Sequence, residues 1–261
     1  MIYSSVKPPK TKNVYPMTKT IRGHCLIINV DKFTNHIFQN RRGSQIDVEN
    51  TGQLFKQLGF KVHLKTDLTK VQFLQELNRF SELKDHKQSQ ICVVVLMSHG
   101  NEEGLFTSDG FLIEKESILK KFHNQNCPNL MGKPKFFIFQ ACQGDVIDIG
   151  VTNGATEADN VVKKRPQNFL PTWEDMLILS ASIRNYKSFR NTKRGSWLIE
   201  CLTYVFMNYS CQLDILELLA EVSKGLRSFY QTDEGWKQTC SYELRGFYHK
   251  LYFNPGHFER Q

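Results

Sequence analysis

Two short stretches, "ICVVVLM" at 91–97 and "KFFIFQ" at 135–140, constrain this chain more than any other feature. The side chains of an extended strand alternate between two faces. A run that is apolar on both faces must be covered on both, as a central strand of a parallel sheet is. Strands and helices alternate around these two runs. "CLIINV" (25–30) and "FKVHL" (60–64) read as further strands, and "MLILSAS" (176–182) and "GFYHKLYF" (246–253) as the last two. "SQIDVENTGQLFKQLG" (44–59) and "LTKVQFLQELNRFSEL" (68–83) repeat apolar residues at helical spacing, with Gly59 as a stop and Thr69 as an N-cap. "GLFTSDGFLI" (104–113) reads as a hairpin turning at Asp109-Gly110, followed by a short helix in "EKESILKKF". Two amphipathic helices are expected near 195–209 and 212–226. The pattern predicts one α/β domain with a mostly parallel central sheet flanked by helices, and 261 residues suffice for its core.

Two segments lack periodicity. Residues 1–20 read as a loose arm, and 143–170 combine Gly, Asn, Asp, Pro and charges without a core pattern. A stretch of that length inside a domain is functional or disordered.

Composition removes several functions. The longest apolar run, 91–97, is too short to span a bilayer, and no stretch has the order of a signal peptide. Seven cysteines without a CxxC pair argue against a disulfide framework and a structural zinc site, and for a reducing, cytoplasmic compartment. The net charge of +8 gathers in the first 22 residues and at Lys163-Lys164-Arg165, with no interleaved aromatics, so nucleic acid is not an expected partner. Neither a Walker A loop nor GxGxxG occurs. No metal and no cofactor is expected.

Chemistry is expected beyond the carboxyl ends of the strands. The run 91–97 leads into Ser98-His99-Gly100, and 135–140 leads into Ala141-Cys142-Gln143-Gly144. Taken singly, Cys142 reads as a small buried hydrophobe and His99 as a strand cap. Together, at the ends of two two-sided strands, they read as a nucleophile and its general acid/base. Gly100 allows its N–H to approach a substrate carbonyl, and with the Cys142 N–H it would form an oxyanion hole.

"QACQG" is the local signature around the caspase nucleophile, with a histidine upstream. "SHG" (98–100), "GKPKFFIFQACQGD" (132–145), "RNTKRGSW" (190–197) and "LYF" (251–253) occur in caspase order, and residues 20–254 resemble a caspase. The resemblance implies a three-layer sandwich and a cysteine endopeptidase that cuts after aspartate. Cys142, His99 and Gly100 match the catalytic positions. Arg41, Gln140 and Arg190 match the aspartate pocket, with Arg42 a rival for the first. Ser188 and Phe189 match the substrate-binding segment, and Lys187 stands where many relatives carry an aromatic walling the site for the preceding residue. Guanidinium forks suit this task, since they grip a carboxylate bidentately and stay charged when desolvated.

The resemblance also divides the chain into a short arm (1–20), a large-subunit region (21–145), a linker (146–170) and a small-subunit region (171–261). Within the linker "TEAD" (156–159) makes Asp159 the expected processing site of a self-cleaving zymogen. A homodimer of large/small pairs formed through the last strand is expected. So are protein substrates with exposed aspartates, and partnership with other caspases and apoptosis regulators. The rival reading is a non-proteolytic decoy or regulator of caspases; such homologues usually lose the Cys, the His or a pocket arginine, all present here.

Overall fold

The computed structural model describes residues 2–3, 13–34, 38–147 and 171–256. Asp159 and most of the linker lie outside them. In chain order the elements are β1 (Gly23–Asn29), α1 (Ser44–Gln57), β2 (Phe60–Thr66), α2 (Lys70–Ser81), β3 (Ile91–Met97), β4 (Gly104–Phe106), β5 (Leu112–Glu114), α3 (Lys115–Lys120) and β6 (Lys135–Gln140). There follow β7 (Met176–Ser180), the two-residue β8 (Arg190–Asn191) and β9 (Gly195–Ser196), α4 (Trp197–Tyr209), α5 (Ile215–Phe229) and β10 (Ser241–Arg245). Six strands form one sheet in the order β10-β7-β6-β3-β1-β2, parallel except for β10.

The two-sided runs behave as their composition requires. Every residue of β1, β3, β6 and β7 is buried. One face sends Ile27, Val95 and Ile138 against Phe55 of α1, Phe206 of α4 and Val222 of α5. The other sends Ile28, Val94 and Phe137 against Phe73 and Phe80 of α2 and Ile118 of α3. Each such side chain withdrawn from water is worth about 1.5–3 kcal/mol, and three layers result. Thr69 caps α2 in a reciprocal box: Thr69 N–H donates to Gln72 Oε1 (3.0 Å) while the threonine hydroxyl accepts from Gln72 N–H (3.4 Å). The β4–β5 hairpin turns through Gly110, at φ +80°.

Two expectations are corrected. The last strand is Ser241–Arg245 and not 246–253, because the chain turns out of the sheet at Gly246 (φ +57°). Phe247, Leu251 and Phe253 are nonetheless buried in the main core: apolar pattern reported burial, which a plug without a ladder also provides. The arm is anchored from Asn13 onward. Tyr15 and Met17 are buried, Tyr15 N–H donates to Lys250 O, and the Tyr15 hydroxyl donates to Asp175 Oδ1 at 2.6 Å.

Candidate active site

The register of β3 against β6 pairs Met97 with Gln140, so the chain segments that follow, 98–100 and 141–143, leave the same edge of the sheet side by side. The sheet order reverses next door: β1 is flanked by β2 on one side and β3 on the other, and Arg41 follows β1. Ligand sites of open α/β sheets form at such a switch point.

His99 stacks among Phe33 and Phe38, with ring centroids 5.2 and 5.5 Å away. Its Nε2–H donates to the Gln39 carbonyl at 2.7 Å, which leaves Nδ1 as the basic nitrogen. Burial lowers its pKa, the Gln39 bond opposes this, and the positive charges of Arg41 and Arg190 lower it further. A neutral imidazole is what a base near neutral pH requires. The Cys142 thiol is partly buried just beyond the end of the neighbouring strand β6. Among the described residues its hydrogen bonds all involve Ser188: Sγ accepts from the Ser188 N–H (3.4 Å) and lies 3.6 Å from Oγ and 3.7 Å from the carbonyl. The two residues therefore share the sheet edge without being hydrogen-bonded to each other.

Gly100 is held by packing as well as by its proposed approach to substrate. A Cβ there would sit 2.5 Å from the Gly104 carbonyl and 2.9 Å from Ala141 Cβ, so the two strand ends could not close together. Among the described residues neither the Gly100 nor the Cys142 N–H is used in a hydrogen bond, and both remain available to an oxyanion.

Arg41 is 1% exposed and Arg42 is exposed, so of the two adjacent arginines Arg41 is the buried one. Arg41 Nη1 donates to Asn29 Oδ1 (2.8 Å) and to Val30 O (3.1 Å), whereas Nε and Nη2 have no partner among the described residues. Burial, then the neighbouring Arg190 charge, pull its pKa down from 12.5 to about 9. Arg190, half-buried, donates from Nε to Arg42 O at 3.0 Å, and burial lowers its pKa too. Both guanidiniums lie within electrostatic reach of Cys142. Gln140, 2% exposed, donates weakly from Nε2 to Ser188 Oγ (3.4 Å) and leaves Oε1 unpaired. Two neighbouring cations, one of them buried with two N–H-bearing nitrogens unpartnered among the described residues, are a surrounding that would stabilise an anion.

Positioning residues that motif reading missed complete the site. Asp47 of α1 accepts from Ser196 N–H (2.7 Å) and Ser196 hydroxyl (2.6 Å), tying the β8–β9 hairpin, and so Arg190, to α1. Gln238 accepts from Phe189 N–H (2.7 Å) and donates to Ala181 O (2.8 Å), fixing the segment facing Cys142. Phe189 packs on Trp197 (4.7 Å) and Trp236 (6.2 Å); Phe189 and Trp197 also line a cleft of about 330 Å³ together with Arg190, Phe229, Tyr230 and the acids Asp233 and Glu234. Trp197 lay inside a quoted motif; Gln39 acts through its carbonyl and leaves no mark in sequence. Lys187 donates its N–H to Val146 O (2.8 Å), and among the described residues its ammonium makes no ion pair. Among those residues no group of three or more His, Cys, Asp or Glu is arranged to hold a metal, and no helix is long and apolar enough to cross a membrane.

A family model described as the caspase domain matches residues 22–252. The chain is 35% identical to Caspase-2 of Gallus gallus over 82% of its own length and 53% of that protein's. It is 34% identical to Caspase-14 of Homo sapiens over 78% of its length and 84% of that protein's. It thus spans about half of the first and most of the second. Among solved structures, the crystal structure of Caspase-1 from Spodoptera frugiperda superimposes with a TM-score of 0.82 at 27% identity, covering 96% of this chain and 97% of that one. The strand-end cysteine and histidine, the two-arginine pocket and these matches lead to one conclusion: the chain belongs to the caspase family of cysteine peptidases.

Proposed function

We propose that this chain is an endopeptidase that cuts on the carboxyl side of aspartate. Cys142 sulfur attacks the scissile carbonyl carbon as its proton passes to His99 Nδ1, and the developing oxyanion accepts the Gly100 and Cys142 N–H groups. His99 then protonates the leaving amine, and water, deprotonated by His99, cleaves the thioester to the acid and free thiol. The observation that carries this reading is Arg41: a buried cation with two unpaired nitrogens, beside Arg190 and Gln140, lacks the charge that an aspartate carboxylate supplies and an asparagine amide does not.

We further infer a zymogen that processes itself after Asp159, with Arg41, Gln140, Ser188, Phe189 and Arg190 holding the substrate. Dimerisation uses the outer edge of β10, where Tyr242 and Leu244 are 43% and 41% exposed on a strand paired on one side only. The setting proposed is the cytoplasm and apoptosis, on proteins with exposed aspartates and alongside other caspases. One observation favours the decoy reading instead: the Cys142 thiol is engaged by Ser188 and not by His99. A tetrapeptide library decides between them. Asp-ending peptides should be cut at least about 10²-fold better than Asn-ending ones, with no turnover in Cys142→Ala. Equal cutting of Asp and Asn refutes the pocket, and no cutting by dimeric protein supports the decoy.

A further inference from the structure

Three imidazoles meet away from the strand ends that carry the candidate site. His24 of β1 and His63 of β2 stand on the sheet face covered by α2, because the parallel register sets His24 beside Lys61 and Leu26 beside His63. His24 Nδ1 lies 2.9 Å from His63 Nε2, and the two rings stack with centroids 5.1 Å apart. The third, His86, belongs to the short 3-10 turn Lys84–Lys87 and meets His24 edge-on at 5.6 Å. His24 and His86 are buried.

One set of tautomers satisfies the neutral cluster. His24 Nε2–H faces Asp85 Oδ2 at 3.7 Å, which leaves Nδ1 to accept from His63 Nε2–H. His86 Nε2–H donates to Phe80 O at 2.7 Å, and its Nδ1 is buried without a partner among the described residues. One added proton can be shared between His24 and His63. A second sets two N–H donors face to face, and a proton on His86 Nδ1 is an N–H with no acceptor among the described residues.

The charges around the cluster do not welcome further protons. Asp85 already faces Lys61 at 3.9 Å, and Lys19 of the arm lines the same pocket. Glu76 of α2 pairs with Arg79 and, at 3.7 Å, with Lys65 of β2. Lys133 donates to the His86 carbonyl at 2.7 Å, and Lys84 and Lys87 add positive charge on the turn itself. Burial is the first cause lowering the pKa of all three histidines, and that of His86 falls from 6.5 to about 4. Folded pKa values below the unfolded ones mean that the unfolded chain takes up more protons, so stability is lost as pH falls from about 6.5 towards 4.

The strand at risk is β2, which sits at the sheet edge and pairs with β1 alone. Its exit holds part of the candidate site. Asp67, just beyond β2, accepts through Oδ1 from the N–H groups of Asp31 (2.7 Å) and Lys32 (3.0 Å). Phe33, next along that loop, packs on His99, and the Asp31 carbonyl accepts from Arg41 N–H at 2.9 Å.

We propose that His24, His63 and His86 form a proton-operated latch: acidification loosens β2 from β1 and α2, and with it the Asp67 grip on the loop that frames His99 and Arg41. The latch is a property of the fold and stands whether or not the chain cuts after aspartate.

The test follows amide hydrogen exchange in full-length Cys142→Ala protein at pH 7.5, 6.0 and 5.0, expressed as protection factors so that the intrinsic pH dependence is removed. With the histidines intact, protection in β2 and at the Asp31 and Lys32 amides should fall about tenfold or more between pH 7.5 and 5.0, while β7 keeps its own. His24→Leu/His63→Leu, which removes the facing nitrogens and keeps apolar bulk against Phe80, should hold protection at both places. An equal fall in that variant overturns the latch, since the sensitivity then lies elsewhere. Equal loss in β7 also overturns it, because the whole fold then opens. Protection lost in β2 with Asp31 and Lys32 unchanged removes the link to the site and overturns the proposal as stated. If the double variant does not fold, His63→Leu alone goes through the same series. Protein with all three histidines gives an independent check: a urea midpoint equal at pH 7.5 and 5.0 overturns proton uptake by the cluster.

Discussion

Replacing Arg41 by methionine should separate stability from activity, because the pocket is built at the expense of the fold. The fall of the Arg41 pKa from 12.5 to about 9 corresponds to roughly 5 kcal/mol of disfavoured charge in the folded state. Methionine fills similar space without charge, but leaves Asn29 Oδ1 and Val30 O short of a donor, at about 1–3 kcal/mol each. The balance lies between a gain of about 3 and a loss of about 1 kcal/mol, whereas truncating a fully buried large side chain ordinarily costs about 2–5 kcal/mol. The folded pKa lies below the unfolded one, so the penalty is fully present below pH about 9 and lifts as pH rises through 9 to 12.5. Urea denaturation at pH 7.5, in a Cys142→Ala background that prevents self-cleavage, gives the stability term. kcat/KM on an Asp peptide with Cys142 intact gives the other, with an expected fall of about 10²-fold or more. A destabilisation above about 3 kcal/mol would show that the guanidinium supports the fold and would falsify the argument. Cleavage within tenfold of wild type would remove Arg41 from the pocket.

The remaining expectations are smaller. Burial and the charges of Arg41 and Arg190 depress the His99 pKa, so the acid limb of kcat/KM should lie below pH 6.5 and move upward in Arg190→Ala; an unmoved limb would mean that His99 is not the titrating base. Lys187→Tyr should change the preference for Glu over Val before the aspartate by no more than severalfold, since a partly exposed ion pair is worth about 0.2–1 kcal/mol; identical ratios in both proteins would show a solvated ammonium without a role. Intact-mass analysis should find a large fragment ending at Asp159 in active protein and none in Cys142→Ala, while a fully active unprocessed chain would point to dimerisation alone as the trigger. Thr69→Ala should cost about 1 kcal/mol by removing the α2 cap, measured as a shift in the urea midpoint at constant slope.

The sequence by itself determined what local pattern can encode. Two-sided strands had to be central and Thr69 was placed to start α2, because alternation and capping are properties of neighbours along the chain; that the residues after 97 and 140 share one sheet edge followed only if the two strands were parallel neighbours, as the structure has them. Motif order brought in Cys142, His99 and the two arginines, and burial then chose Arg41 over Arg42. Pattern failed at 246–253, where apolar residues signalled burial and were read as a ladder. What tertiary structure alone decided are contacts between distant segments. The Gln39 carbonyl sets the His99 tautomer, Asp47 holds Ser196 across 149 positions, and Gln238 holds Phe189 across 49. A backbone carbonyl carries no residue signature, and a carboxylate or amide has the same letter whether solvated or buried. Their roles exist only once the sheet has brought 39, 99, 142, 189 and 238 to one edge.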